Sequence, residues 1–326
     1  RPTRKGDDAM RYTVKKLTAF LFTMVVVSLL TFIAFDLISG DPAQAMLGTE
    51  ATPEKLAALR EQLGLNQPLL VRYGQWLAGF FTGNLGTSYN YNLPVGQLIA
   101  PKLGLTLCLS FLAFALTVIV SIPLSMWSAR RAGGRADALF TALNQFFMAV
   151  PPFFTGLLFT WVFSLMLGWF VHGKFPGFDQ DVPGSLWYLL FPAMALALPR
   201  IAMTVRMLRS TILSEMNKDY VRTAISRGND WNMVLRRHVL KNSLVPVVTF
   251  LAQTMAEIVA GSIVVEQVFS VPGLGRLLMA SISNRDYPVV QVIVVILALW
   301  VVLAGTLADV INRRIDPRLN LGGDAQ

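Results

Sequence analysis

Charge is what this sequence has least of. Of its 326 residues only 14% are charged, against 54% hydrophobic, and mean hydropathy is +0.54. Ordinary globular domains carry roughly 25% charged residues, so the shortage excludes most soluble folds. There is a single cysteine, Cys108, in an apolar stretch, so no intrachain disulfide can form. The two histidines, His172 and His238, stand far apart with no acidic or thiol cluster beside them, which argues against a metal site. No Gly-x-x-x-x-Gly-Lys-Ser/Thr run occurs; Gly173-Lys174-Phe175 is the nearest fragment and it fails, so the chain has no P-loop of its own. His-Glu-x-x-His and Gly-x-Ser-x-Gly are missing too, which leaves hydrolytic and intramembrane-enzyme readings without their chemistry. Internal repeats and low-complexity segments are also lacking.

What is there is apolar sequence in lengths that suit a bilayer, where each crossing takes about 20 residues. Six spans are expected, at about 16–36, 103–127, 139–168, 186–207, 244–266 and 289–311. The third holds Pro151-Pro152 and should kink or break there; the fourth carries Pro192 and Pro199, tolerable where neighbouring helices satisfy the freed carbonyls. Met10-Arg11-Tyr12 reads as the natural start, with residues 1–9 an overextended start or a remnant of cloning. The first apolar stretch is too long for a removable signal peptide and lacks a small-residue cleavage site, so it is expected to remain as an anchor.

The formal net charge of +9 could suggest nucleic acid, but the charges lie between apolar spans rather than on one soluble domain. Topology explains them better. With a cytoplasmic N-terminus, one side holds Lys15, Lys16, Arg130, Arg131, Arg135, the basic run from Arg206 to Lys241, and Arg313, Arg314 and Arg318. The other side holds far fewer, so both termini are expected in the cytoplasm. The long outer connection, residues 37–102, reads as a small cap: Thr52-Pro53-Glu54 starts a helix, Leu56, Leu59 and Leu63 line one face, and Gly64 ends it. Trp76, Phe80, Phe81, Tyr89 and Tyr91 suit the membrane–water interface.

The longest charged segment, residues 208–243, reads as two short helices hinged at Gly228. Met216, Tyr220 and Ala224 share one face of the first. Asp230 can cap the second, in which Trp231, Val234, Leu235, His238 and Val239 share a face flanked by Arg236, Arg237 and Lys241. A positive-inside bias explains the charges but not two amphipathic helices joined by a glycine. The small Ala224 and bare Gly228 would let a partner surface approach the backbone closely.

Two acids stand out in apolar surroundings. Glu257 lies inside 244–265, where a carboxylate costs roughly 2.5–3.5 kcal/mol on insertion scales. It either lines a translocation cavity, forms a buried pair with a neighbouring subunit, or is exposed in the outer third of the span; Ala252, Ala256 and Ala260 beside it offer a stripe for close helix packing. Arg200, in the fourth span, is expected to snorkel or to pair with a carboxylate. Glu266 opens the outer loop 267–288, whose Phe269, Pro272, Gly273 and Gly275 suggest a tight, re-entrant-looking turn: an outer gate, a contact for a delivery protein, or a plain interfacial turn.

The chain from about Met10 resembles the permease subunits of bacterial ABC importers of the dipeptide/oligopeptide/nickel type. The segments that carry the resemblance are Gly40-Asp41-Pro42, Leu63-Gly64-Leu65-Asn66-Gln67-Pro68 and Gly83-Asn84-Leu85-Gly86-Thr87-Ser88. They continue with Asp219-Tyr220-Val221-Arg222-Thr223-Ala224 with Gly228, the tract from Glu266 to Gly275, and Arg285-Asp286-Tyr287-Pro288. Thr223-Ala224 stands where the broader importer pattern has Glu-Ala-Ala, and the spacing from Gly228 to Pro246 is longer than usual; both departures are habitual in the peptide/nickel branch.

The resemblance implies an all-α membrane protein of six transmembrane helices, with a helical periplasmic cap at 37–102, a core of 103–326 after the N-terminal helix 10–36, and a cytoplasmic coupling-helix hairpin. It implies a pore subunit that moves small peptides, or a nickel chelate or glutathione, across the bacterial inner membrane. Its partners would be a second similar permease, two cytoplasmic ATPases, an outer solute-binding protein that is periplasmic or lipid-anchored, and membrane lipid, but no nucleic acid. No cofactor would be bound by this chain, ATP and Mg belonging to the ATPases. Coupling would fall to Asp219, Tyr220, Arg222, Thr223, Ala224, Gly228, Arg236 and Arg237, and path or gate to Glu257, Glu266, Phe269, Pro272, Gly273 and Gly275. The competing reading is an ion-coupled secondary transporter or channel, but such folds commonly show repeats and several midplane ionisable groups, whereas one clear midspan acid is present here.

Overall fold

The structure, a computed structural model, describes residues 3–39, 42–48, 51–62 and 64–315. Gly40, Asp41, Leu63 and Arg318 lie outside the described residues. Those described form helices and turns without a strand; the only sheet-like pairing among them is an isolated bridge between Thr87 and Pro94. Among the described residues, five helices are long and apolar enough to cross a membrane, and six if one bent pair counts as a single span. Two compact units emerge, residues 1–106 with 272–303, and residues 107–271 with 304–326.

The first unit contains α1 (Thr3–Ser39), α2 (Pro42–Leu47), α3 (Pro53–Gln62), α4 (Leu69–Thr82) and α12 (Leu274–Ser283). The cap helix α3 forms as read: Thr52 Oγ1 accepts the Lys55 N–H at 3.3 Å, and Leu56 and Leu59 are its half-buried residues. Helix α4 has no counterpart in the reading above, although its signal was present, since Tyr73, Trp76 and Phe80 are spaced three and four apart. Tyr73 and Trp76 pack against Phe32 of α1 at centroid distances of 5.6 and 6.0 Å, and the Tyr73 hydroxyl is 2.8 Å from Ser28 Oγ. The outer loop 267–288 is likewise more ordered than expected, because α12 occupies much of it.

The second unit is organised on α8 (Val182–Met216), which packs against α6 (Arg135–Ala149), α7 (Pro152–Phe159) and α11 (Leu240–Val268). Asp181 caps α8 through the Gly184 N–H at 2.9 Å. The helix runs through both Pro192 and Pro199, with Ala193, Ala195, Ala197 and Ala202 buried, so small side chains bring its neighbours close. The third span breaks where expected: α6 and α7, which ends in a π turn at Thr160–Met166, meet at 100° around Pro151-Pro152.

Boundaries differ from the reading in several places, α1 starting at Thr3 rather than near position 16. Helix α5 (Val95–Arg130) begins eight residues before position 103, and α8 extends past Arg206 and Arg209 to Met216. Polar ends prolong a helix as readily as apolar ones when nothing breaks it, and hydropathy cannot register them. Both α5 and α13 (Tyr287–Ile315) contribute to both units.

Candidate functional site

The charged segment begins where α8 stops. Helix α9 (Asp219–Ser226) places Asp219 in its first turn, where a carboxylate complements the helix dipole. Its end is a Schellman turn: Gly228 takes φ +81°, its N–H bonds Ile225 O at 2.9 Å, and the Asn229 N–H reaches Ala224 O at 3.4 Å. The Asn229 side chain donates to the same carbonyl at 2.9 Å. Asp230 then caps α10 (Trp231–Val234) by accepting the Asn232 N–H at 2.9 Å.

From α10 the helix does not stop. It passes through a π turn, Leu235–Val239, into α11, so residues 231–268 form one continuous helix. The expected hairpin is therefore one short helix and the projecting end of a membrane-spanning one. Nothing between Trp231 and Pro246 breaks a helix, and Pro246 is accommodated inside it.

The core side of this arm is Val221, Val234, Leu235 and Val239, clustered with Leu208, Ile212, Val247 and Leu251. Tyr220 and Ala224 are half-buried against that cluster, so Ala224 faces the chain's own core more than the reading of it as a bare docking position supposed. Trp231 and His238, expected to share a face with Val234, Leu235 and Val239, are exposed while those three are buried; the π turn at Leu235–Val239 carries His238 off that face. His238, Tyr220, Thr223, Ala224, Arg227 and Asn229 line a cleft of about 390 Å³. The outward surface carries Asp219, Arg222, Thr223, Arg227, Arg236 and Arg237 around exposed Ile225 and Met233. Tyr220 donates to Glu215 Oε2 at 2.9 Å. Burial, above all, raises the Tyr220 phenol's pKa; a hydrogen bond with Asn242 opposes this and the one with Glu215 adds to it.

A connection that sequence gave no sign of lies just above the arm. Arg209 of α8 donates to both carboxylate oxygens of Asp137 on α6, at 2.8 and 2.6 Å, and Asp137 also accepts the Gly133 N–H at 3.0 Å. This two-oxygen contact, with its partners largely out of water, ties the broken third span to the helix that leads into the arm.

Within the spans, Arg200 and Glu257 form an ion pair. Glu257 is 54% exposed, and Gln253, Ala260 and Val264 are exposed with it on α11. Of the small-residue stripe only Ala256 is buried; Ala260 follows Glu257 by three residues and turns outward with it. One turn along α8 from Arg200, the residues Met203, Arg206, Met207 and Phe250 border a second cleft of about 490 Å³.

Glu266 is the opposite case. It is fully buried and accepts from Ser262 Oγ at 3.3 Å. Phe269 is buried too, its carbonyl accepting from the Tyr188 hydroxyl and its ring lying close over Gly156, where a Cβ would stand 3.1 Å from the ring. The turn is made by Ser270 in the left-handed region (φ +54°), and Gly273 is extended rather than left-handed. Gly273 and Gly275 are buried, Pro272 is half-buried, and the Leu274 N–H bonds Thr106 Oγ1 at 2.9 Å. The glycines expected to make the turn instead start α12.

Two of the segments quoted for the resemblance meet in the first unit. Buried Asp286 accepts from Ser88 Oγ and from the N–H groups of Tyr89 at 3.0 Å and Asn90 at 3.4 Å. Tyr89, outside the spans, has its phenol pKa pushed up to about 12, by burial first and then by the Asp286 carboxylate, with Arg72 opposing.

Residues 121–321 match the family model described as the binding-protein-dependent transport system inner membrane component, and residues 9–110 match its N-terminal companion. The chain belongs to that family. It is a multi-pass inner-membrane permease. Among similar chains, one from Brucella abortus (strain 2308), provisionally named a peptide transport system permease protein, is 38% identical over 306 residues, 94% of this chain and 98% of that one. The dipeptide transport system permease protein DppB of Alkalihalophilus pseudofirmus is 31% identical over 335 residues, covering 95% and 99%. The fold is shared with the inward-facing MetNI methionine ABC transporter at a TM-score of 0.55 and 17% identity, over 68% of this permease and 97% of that chain. An amino acid ABC transporter crystallised with histidines gives 0.52 at 17% identity, over 67% and 94%.

Proposed function

We propose that this permease is the pore-forming subunit of an ATP-driven importer of small peptides, working with a second permease, two cytoplasmic ATPases and an outer solute-binding protein. Peptides are favoured over nickel chelates or glutathione because similar chains of nearly full coverage carry peptide and dipeptide names. Both termini lie in the cytoplasm in this reading, which the lysine and arginine asymmetry supports. The chain binds no cofactor and hydrolyses nothing; ATP and Mg belong to the ATPases.

The observation that carries the reading is the arm at 218–239. Its apolar side is seated on the core while its outward side presents Arg222, Arg227, Arg236 and Arg237 around exposed Ile225 and Met233. An ATPase docked there would push on α8 and α11 together, and through the Arg209–Asp137 contact on α6. Glu257 and Arg200, an ionised pair left partly open in mid-span, would line the path between the two permeases and offer a carboxylate and a guanidinium to the charged termini of a peptide. The buried Glu266, Phe269 and the loop to Gly275 would form the closed outer gate.

Topology is tested by thiol labelling. With Cys108→Ser as background, cysteines at Ala57 and Ser283 should react with impermeant reagents from outside, and those at Ser226 and Ala136 should not. Outside labelling at Ser226 would overturn the orientation and the ATPase contact with it.

A further inference from the structure

In the first unit, α1, α4, the turn at residues 84–89 and the start of α13 enclose a cleft of about 540 Å³, within the range of roughly 300–1,000 Å³ usual for ligand sites. Its depth in the membrane follows from the helices that build it. Asp36 is the residue before last in the apolar span Leu17–Leu37, and Gln291 lies in the first turns of the span Tyr287–Val310. The cleft therefore sits at the level where hydrocarbon gives way to headgroups.

Its chemistry is mixed in a specific way. Asp36 and Arg72 are the only charged residues among the described lining, and they form an ion pair, so the lining carries no net charge. Arg72 has five N–H donors in a planar fork, more than one carboxylate contact uses. Rings of Phe35, Trp76 and Tyr287 supply aromatic faces, with Phe35 and Tyr287 6.1 Å apart. Gln291 completes the set: the residue is only 8% exposed, and its Nε2 has no hydrogen-bond partner in the protein. A buried amide N–H₂ without an acceptor costs about 1–3 kcal/mol, so the fold maintains here a donor that an outside group must satisfy.

We propose that this cleft binds the headgroup of a zwitterionic phospholipid of the phosphatidylethanolamine type, one lipid per copy of this chain. Gln291 Nε2 and the spare Arg72 donors take the phosphodiester oxygens. Asp36 and the aromatic faces take the ammonium. The acyl chains run along the exposed apolar residues Leu37, Leu70 and Phe81 that flank these helices. A neutral ion pair matches a headgroup that is itself neutral overall, whereas an anionic lipid would leave one negative charge unbalanced. The proposal does not depend on which solute is transported.

The assembled transporter, stripped of lipid in detergent, is titrated with phosphatidylethanolamine, phosphatidylglycerol, soluble phosphoethanolamine or inorganic phosphate, and bound lipid is counted by native mass spectrometry alongside thermal melting. Wild type should retain one phosphatidylethanolamine per copy and gain melting temperature from it. Gln291→Leu should bind it roughly tenfold more weakly while melting normally without lipid, since no protein partner of the amide is lost. The double variant Asp36→Asn with Arg72→Gln should lose the preference for phosphatidylethanolamine over phosphatidylglycerol, and tests the same claim if Gln291→Leu fails to assemble. Unchanged lipid retention in both variants would overturn the proposal. So would equal binding of phosphatidylglycerol, full protection by inorganic phosphate alone (a free-anion site), or protection seen only with the solute-binding protein present (a protein interface).

Discussion

The arm at 218–239 and the turn at 86–91 are both short and rich in polar residues, yet they are held differently. The arm closes its own bonds: Asp230 caps Asn232 two residues on, Gly228 and Asn229 cap α9, and Thr223 and Ser226 donate to carbonyls four residues back. The turn closes some bonds of its own, the Tyr91 N–H to Ser88 Oγ at 3.0 Å and the Ser88 N–H to Leu93 O at 2.9 Å, but is also anchored on Asp286, 198 residues from Ser88 in sequence. A region that makes its own shape can be pushed as a body, which suits a lever. A region that also leans on a distant residue loses part of its hold when that residue is removed, which suits a fixed outer surface.

Removing the anchor should break this contrast most visibly. Asp286→Ala leaves the Ser88 hydroxyl and two backbone N–H groups without their acceptor, and should lower stability by about 3–5 kcal/mol, read by thermal unfolding in detergent and by new protease cleavage near residue 90. The pair that ties α6 to α8, the helix leading into the arm, comes next. Asp137→Ala strands the Arg209 guanidinium, and because Arg209 is partly exposed the expected cost is less, about 2–3 kcal/mol. Arg209→Met combined with it should restore much of that, as a double-mutant cycle would show. Gly156→Ala, pressed against Phe269 and Val268 at 3.1 and 3.2 Å, should cost about 1–3 kcal/mol by overpacking, without touching the arm.

Smaller still is the effect of pH. The folded Tyr89 phenol is raised to about 12 from the ordinary 10.0, so the folded state keeps a proton that the unfolded state releases. Stability from this group is complete below about pH 10 and declines as pH rises from 10 towards 12. Tyr89→Phe should flatten that decline in the pH dependence of unfolding, and should change nothing at neutral pH.

The same contrast explains what was legible in the sequence. Caps, glycine ends and the break at Pro151-Pro152 depend on residues a few positions apart, so α3, the Gly228 end of α9 and the break in the third span could be read directly, although Met216, expected on α9, ends α8. The continuation of α10 into α11 was missed because the π turn at 235–239 has no composition of its own. The pairs Arg209–Asp137 and Ser88–Asp286 were out of reach, being 72 and 198 residues apart in sequence. The outer loop misled for a different reason: Pro272, Gly273 and Gly275 look like a turn, but the left-handed residue is Ser270.

The claim that matters most is that the arm transmits ATPase motion through its outward face. Ile225 is 42% exposed and lies away from the core cluster, so Ile225→Glu should leave the permease inserted and melting as wild type. The measurement is co-purification of the ATPases together with solute-stimulated ATP hydrolysis and peptide uptake in reconstituted vesicles. This one substitution should release the ATPases or leave them hydrolysing without uptake. Wild-type association together with wild-type uptake would contradict the claim.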